Sequence, residues 1–188
     1  MTSTASADGG DVADESQRRA EDRLVAALTA GAVDRPEQRE LDRLVGTWRV
    51  RGRWEPIPGG TIHDVHGRSE NRWEFDGRVL ACRGFDADGT LQSMLLVAFD
   101  ASVGDYAAFS VTTRSTFFAV ERGPWLTDPP ALQLDGWETV ENRPTPIHFR
   151  RTLTFPDRDR YDSEISYPDH PPGTFGPLYV QHHRIEAG

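Results

Sequence analysis

The sequence predicts an all-β protein: an antiparallel, up-and-down barrel of about ten strands with helices on its N-terminal side. Three observations carry this. At Gly46 the hydrophobic period changes to two, so Trp48, Val50, Gly52 and Trp54 share one face and Thr47, Arg49, Arg51 and Arg53 the other. About ten short runs of this kind then follow, with turn residues between them and no helical pattern intervening. A meander of that many strands has two unpaired edges, and closing the sheet on itself removes both.

Along the chain, residues 1–15 are small, polar and acidic, the composition of a disordered lead. Over residues 16–30, Leu24, Val25 and Leu28 form a stripe beside Arg18, Arg19, Glu21, Asp22 and Arg23, which predicts a helix that Gly31 can end. Pro36 suits the first turn of a second helix over 37–45, with Leu41, Leu44 and Val45 on one side. The segment 16–45 is expected to cap one end of the barrel, which occupies 46–188.

Strands are expected at 47–54, 62–75, 78–85, 91–99, 106–113, 116–122, 132–140, 147–155, 161–167 and 178–185. Their punctuation is chemical. Pro56-Ile57-Pro58-Gly59-Gly60 cannot stay in a ladder, Asp76-Gly77 is a hairpin signal, and Gly123-Pro124 and Asp128-Pro129-Pro130 mark loops. The run 91–99 is nearly all apolar and belongs deep in the sheet.

Composition narrows the function. A formal charge of −9 argues against duplex nucleic acid and against an anionic membrane surface, both of which attract basic proteins. The single cysteine, Cys82, has no partner for an internal disulfide, and no CxxC pair offers a metal site. The start of the chain has neither a basic nor an apolar leader region, and no run reaches membrane-spanning length, so the reading is cytoplasmic. Nine Phe, five Trp and four Tyr supply a large core. Nucleotide and hydrolase signatures (GxGxxG, P-loop, GxSxG, HExxH) do not occur, and no cofactor is expected.

The stretch Leu41-Asp42-Arg43-Leu44-Val45-Gly46-Thr47-Trp48 resembles the opening of the lipocalin-like, or calycin, barrels, where a Gly-x-Trp starts the first strand. The Pro58-Gly59-Gly60 loop, Gly67, Trp73, Gly77-Arg78-Val79-Leu80, Phe99-Asp100, Tyr106 and a terminal aromatic-x-Arg strand extend the likeness over roughly residues 37–186. They are most similar to an uncharacterised bacterial family of that group. That family usually has Gly-Tyr-Asp at Ala98-Phe99-Asp100 and often Tyr at His182. The resemblance implies a barrel with a pocket and a structural clasp in which Arg184 of the last strand packs on Trp48. It implies no agreed activity.

Several side chains are candidates for chemistry. His182, sharing a face with Val180 and Arg184, points inward if Arg184 packs on Trp48, and an inward histidine is a candidate general acid or base. Glu138 shares a face with Leu132 and Leu134, and Glu121 with Phe117 and Ala119; a carboxylate on an apolar face must be paired or have a shifted pKa. Tyr106 is a candidate hydrogen-bond donor. Trp54, Trp73, Trp137 and Tyr167, with His148, are candidate ligand-contacting residues. His148 alternates with Phe149, and the alternation leaves open which face is the lumen. His63 with His66, and His182 with His183, lack a ligand spacing: neighbours on a strand point to opposite faces, so no metal site is assigned.

Three functions remain open. The first is a cofactor-independent cyclase or isomerase of specialised metabolism, enclosing a hydrophobic or aromatic small molecule, with His182 as acid or base and Glu138 or Glu121 as its charge partner. The second is a non-catalytic small-molecule carrier with the same pocket. The third is a haem-binding barrel using His182. The expected partners are a hydrophobic or aromatic small molecule and, in a homodimer, a second copy of the chain.

Overall fold

The computed structural model describes residues 10–30, 35–113, 118–139 and 145–185. Its elements are α1 (Gly10–Ala30), α2 (Pro36–Glu40), a 3₁₀ turn (Leu41–Leu44), then β1 (Gly46–Trp54), β2 (His63–Glu74), β3 (Val79–Asp86), β4 (Leu91–Asp100), β5 (Asp105–Thr112) and β6 (Ala119–Gly123). They continue through β7 (Trp125–Thr127), β8 (Pro130–Glu138), β9 (Ile147–Asp157), β10 (Arg160–Ser166) and β11 (Leu178–Arg184).

Every neighbouring pair is antiparallel. The strand order is β6-β5-β4-β3-β2-β1-β11-β10-β9-β8-β7, and β6 also pairs β8, through Glu121↔Gly136 and Arg122↔Asp135. Ten strands therefore close into a barrel, and β7 is an eleventh that pairs with β8 alone. Prolines at 124, 129 and 130 mark this region as loop in the sequence, yet Pro130 opens β8 and the three residues between Pro124 and Asp128 complete a short ladder. The last residue of the strand expected at 132–140 and the first two of the strand expected at 116–122 lie outside the described residues.

The two faces of β1 follow its period-two pattern: Trp48 is buried, Val50, Gly52 and Trp54 are half-buried, and Thr47, Arg49, Arg51 and Arg53 are exposed. Register carries the inward face around the barrel. Trp48 opposes Arg184 and Ser69, Cys82 opposes Asn71 and Leu95, Ser110 opposes Leu95 and Ala119, and Leu153 opposes Leu132 and Ser163. On β9 the lumen face is therefore Phe149, Arg151 and Leu153, leaving His148 and Arg150 outside.

One end of the barrel is closed by α2 and the 3₁₀ turn. Leu41 and Leu44 are fully buried in a cluster with Trp48, Leu80, Val97, Tyr106, Leu132, Phe155 and Tyr161. The cap is also tied down by polar bonds. Trp48 Nε1 and Asn71 Nδ2 both donate to the Leu44 carbonyl (2.9 and 2.8 Å), and Trp73 Nε1 donates to Asp42 Oδ1 (2.8 Å). Buried Gln38 accepts from the Phe99 amide (2.8 Å) and donates to the Arg78 carbonyl (2.8 Å). Each such bond contributes about 1 kcal/mol, and each leaves a costly unpaired group if one partner is lost.

The helical segment departs from the reading above in two respects. Helix α1 begins at Gly10, six residues before Ser16, and its described side chains are all exposed, Leu24 and Val25 among them. The described capping contacts come from residues 36–44. The second helix stops at Glu40 and tightens into the 3₁₀ turn, which brings both Leu41 and Leu44 onto the core. No helix among the described residues is long and apolar enough to cross a membrane.

Gly46 is where the cap meets the barrel. Its φ of +135° is one that other residues rarely adopt, and a Cβ there would lie 2.5 Å from Arg184 Nη1. Its absence of side chain lets Arg184 reach the Val45 carbonyl (2.8 Å) while the guanidinium carbon sits 4.1 Å from the Trp48 ring centroid. First and last strands are thereby fastened at the capped end, by a cation–π contact whose usual worth is about 0.5–2 kcal/mol.

Candidate functional site

Above the cap the barrel is hollow. A cavity of about 470 Å³ has Leu44 at its floor and runs to Asp64, Gln92, Thr112 and Leu178 at the opposite strand ends. Its walls are apolar where Val50, Leu95, Leu153, Ile165 and Val180 reach it, and polar where Ser69, Ser110, Arg151, Tyr161 and His182 do.

His182 lies on the inward face because its neighbours in register, Val50 and Tyr161, do. Its ring stacks on Tyr161, centroids 4.0 Å apart and planes at 11°, and Tyr161 in turn meets Trp48 edge-on at 4.8 Å. Asn71, itself oriented by Ser69 (2.6 Å), donates to the Tyr161 hydroxyl (3.3 Å). Burial pushes the His182 pKa down to about 3, against the lesser pull of Asp162, so the ring is neutral across the physiological range. Its Nδ1 is buried and has no hydrogen-bond partner among the described residues. His183, one residue on, is exposed on the outer face.

A second polar group sits higher in the lumen. Arg151 holds Glu121 bidentately, Nε to Oε2 at 2.7 Å and Nη2 to Oε1 at 3.0 Å, and Ser110 donates to the same Oε1 at 2.8 Å. Glu121 is completely buried, in space that Gly136 makes available: a Cβ at 136 would lie 2.8 Å from Glu121 Cγ and 2.7 Å from the Phe149 ring. Burial opposes the Arg151 charge, but Glu121 outweighs it and holds the guanidinium firmly protonated. Glu138, also inward, accepts from the Tyr167 hydroxyl (3.1 Å). Burial raises its pKa even so. Nearby, burial pushes the Cys82 thiol up to about 12, which makes it a poor nucleophile.

The sequence candidates divide accordingly. His182 lines the cavity; Glu121 and Glu138 are inward, but Glu121 is engaged by Arg151 and Ser110 and is not a partner of His182. Tyr167 bonds Glu138 and packs on Phe175 (4.8 Å). Tyr106 is not a lumen donor: its hydroxyl donates to the Glu37 carbonyl (2.5 Å), fastening the cap. Trp73 is spent in the same way on Asp42. Trp54 stands at the rim against His63 (5.6 Å), outside the cavity lining. Trp137 and His148 are on the outer surface, stacked at 5.2 Å, with Trp137 57 % exposed. His148 is there bonded to Asp135 (3.0 Å) and Asp169 (2.8 Å), an outer-face polar network that includes Arg150. Among the described residues no group of three or more His, Cys, Asp or Glu side chains is arranged to hold a metal ion.

The sequence candidates do not include Arg151, nor Ser69, Ser110 and Tyr161, all of which line the cavity. The signal of Arg151 is the one that singled out Glu121, a lone charge in a period-two apolar face: Phe149, Arg151, Leu153, Phe155.

No curated protein matches the chain. A family model described as "Protein of unknown function (DUF1579)" matches residues 34–174, from the capping helix through β10, which is well over half of the sequence. The chain belongs to that family, DUF1579, and is itself a ten-stranded barrel.

Proposed function

We propose that this barrel binds a hydrophobic or aromatic small molecule in its lumen and acts as a binding or carrier protein. The observation that carries the reading is the cavity of about 470 Å³, within the size range of small-molecule sites, lined by apolar side chains such as Val50, Leu95, Leu153 and Val180 together with polar ones. The Gly-x-Trp opening and the Trp48–Arg184 clasp agree with a lipocalin-like barrel, whose architecture encloses such guests. Catalysis by His182 is the weaker reading. An imidazole whose pKa is near 3 is neither a proton donor nor an effective base at neutral pH. It serves better as a fixed hydrogen-bonding and stacking surface.

The test is titration of the purified protein with the neutral fluorophore N-phenyl-1-naphthylamine, alongside mass spectrometry of an organic extract. Ser163→Trp, at a cavity-lining position, fills the lumen and is expected to weaken probe binding by about tenfold or more while leaving the fold intact by circular dichroism. Unchanged binding in that variant removes the lumen as the site. A Soret band in the purified protein would assign haem in place of an apolar guest.

A further inference from the structure

The arrangement around Arg151 specifies the guest more closely. A guanidinium carries five N–H donors. Glu121 takes two of those of Arg151, one on Nε and one on Nη2. The remaining donors have no partner among the described residues, and Arg151 lines the cavity while Glu121 does not. The accessibilities agree: 17 % of the Arg151 side chain is accessible and none of Glu121. The carboxylate of the pair is thus fully buried, while part of the side chain that carries the unused donors is accessible where it lines the cavity.

Resting on the lumen-binding reading above, we propose that the ligand is an uncharged molecule bearing a carbonyl oxygen, and that Arg151 donates the hydrogen bond that receives it. Ketones, esters, amides and quinones share this chemistry. The requirement for an acceptor follows from the surplus of donors. Ser110 has already given its hydrogen to Glu121, and Ser69 has given its own to Asn71.

The requirement for neutrality follows from charge. Arg151 is neutralised by Glu121 at bidentate distance, so an anionic guest would bring a second carboxylate to a guanidinium already paired. Glu138 offers a parallel within the chain. It is a second carboxylate attracted by Arg151, repelled by Glu121 and hydrogen-bonded by Tyr167, and burial still drives it toward its protonated form. A ligand carboxylate brought beside the already paired Arg151 would likewise have to be desolvated, whereas a carbonyl oxygen accepts a charge-assisted bond without carrying a charge into the lumen.

Three probes of one skeleton separate these possibilities: 2-acetylnaphthalene, 2-ethylnaphthalene and 2-naphthoate, each titrated by displacement of N-phenyl-1-naphthylamine at neutral pH. The ketone is expected to bind about tenfold or more tighter than the hydrocarbon, the usual return on one hydrogen bond to a charged group. It is also expected to bind tighter than the carboxylate. Removing both members of the pair, with Arg151→Met and Glu121→Gln together, leaves no buried charge unpaired and is expected to make ketone and hydrocarbon equal. Equal affinities in the natural protein, tightest binding of 2-naphthoate, or a ketone preference that survives the double substitution would each overturn the proposal. Binding of none of the four compounds would instead overturn the lumen reading beneath it.

Discussion

His182 lies face to face on Tyr161, ring centroids 4.0 Å apart and planes 11° from parallel, and Tyr161 stands edge-on against Trp48, whose indole also carries the Arg184 guanidinium. A continuous row of planar groups thus runs from the clasp that joins the first and last strands to the imidazole in the lumen. The lumen wall, through His182 and Tyr161, is thereby in direct contact with the side chains that close the barrel.

The first consequence is a pH dependence. Burial holds His182 at about 3 in the folded protein, against an ordinary 6.5 when unfolded. Between those values the unfolded chain binds a proton that the folded chain refuses. The contribution is therefore fully present above about pH 6.5 and is lost as pH falls toward 3, at up to about 1.4 kcal/mol per pH unit. His182→Phe keeps an aromatic ring on Tyr161 and is expected to flatten this slope, measured by urea denaturation at several pH values from neutral to about 5. Parallel slopes in the two proteins would show that His182 is not held neutral.

The clasp itself is measurable. Arg184→Ala removes the contact over Trp48 and the bond to the Val45 carbonyl, and a loss of about 1–3 kcal/mol is expected. Combined with Trp48→Phe in a double-mutant cycle, the coupling is expected at about 0.5–2 kcal/mol. A coupling indistinguishable from zero would mean that the guanidinium and the indole contribute independently.

The Arg151–Glu121 pair predicts a non-additive result. Either Arg151→Met or Glu121→Gln alone disrupts a buried, bidentate ion pair, and Arg151→Met leaves Glu121 fully buried without its cation. That single change is expected to cost about 3–5 kcal/mol, and the double substitution markedly less. Thermal or chemical unfolding of all three variants decides it. If the double variant is as unstable as the sum of the singles, the charges are not acting as a pair.

Gln38 reports on the cap. It is buried, accepts from the Phe99 amide and donates to the Arg78 carbonyl, so Gln38→Ala leaves both groups unpaired at the closed end of the barrel. A loss of about 1–3 kcal/mol is expected, with faster hydrogen exchange at the Phe99 amide. Unaltered exchange there would mean that the Gln38 bond is not what protects the Phe99 amide.

Much of the architecture is legible in the residues. The inward set on β1 is readable because its outward positions are polar or arginine, which leaves one solution for a half-buried strand. The carboxylate rule also gives usable answers: Glu121 is paired, and Glu138 is shifted by burial. Aromatic content misleads at the same level, because a tryptophan carries no label for which side it covers. Trp137 lies outside on His148, while Trp73 and Tyr106 are committed to holding the cap through Asp42 and the Glu37 carbonyl. Strand β7 is missed because prolines that flank a three-residue ladder look the same as prolines in a loop.

By itself, then, the sequence determined a closed antiparallel sheet with an N-terminal cap, since period-two patterning and turn chemistry act between residues near one another in the chain. Which face of β9 became the lumen, and that Arg151 met Glu121 inside it, only the tertiary structure decided. Alternation divides a strand into two sides, but the curvature of the closed barrel chooses the inner one. A buried charge finds its counter-charge through space, at a separation along the chain that no local pattern records.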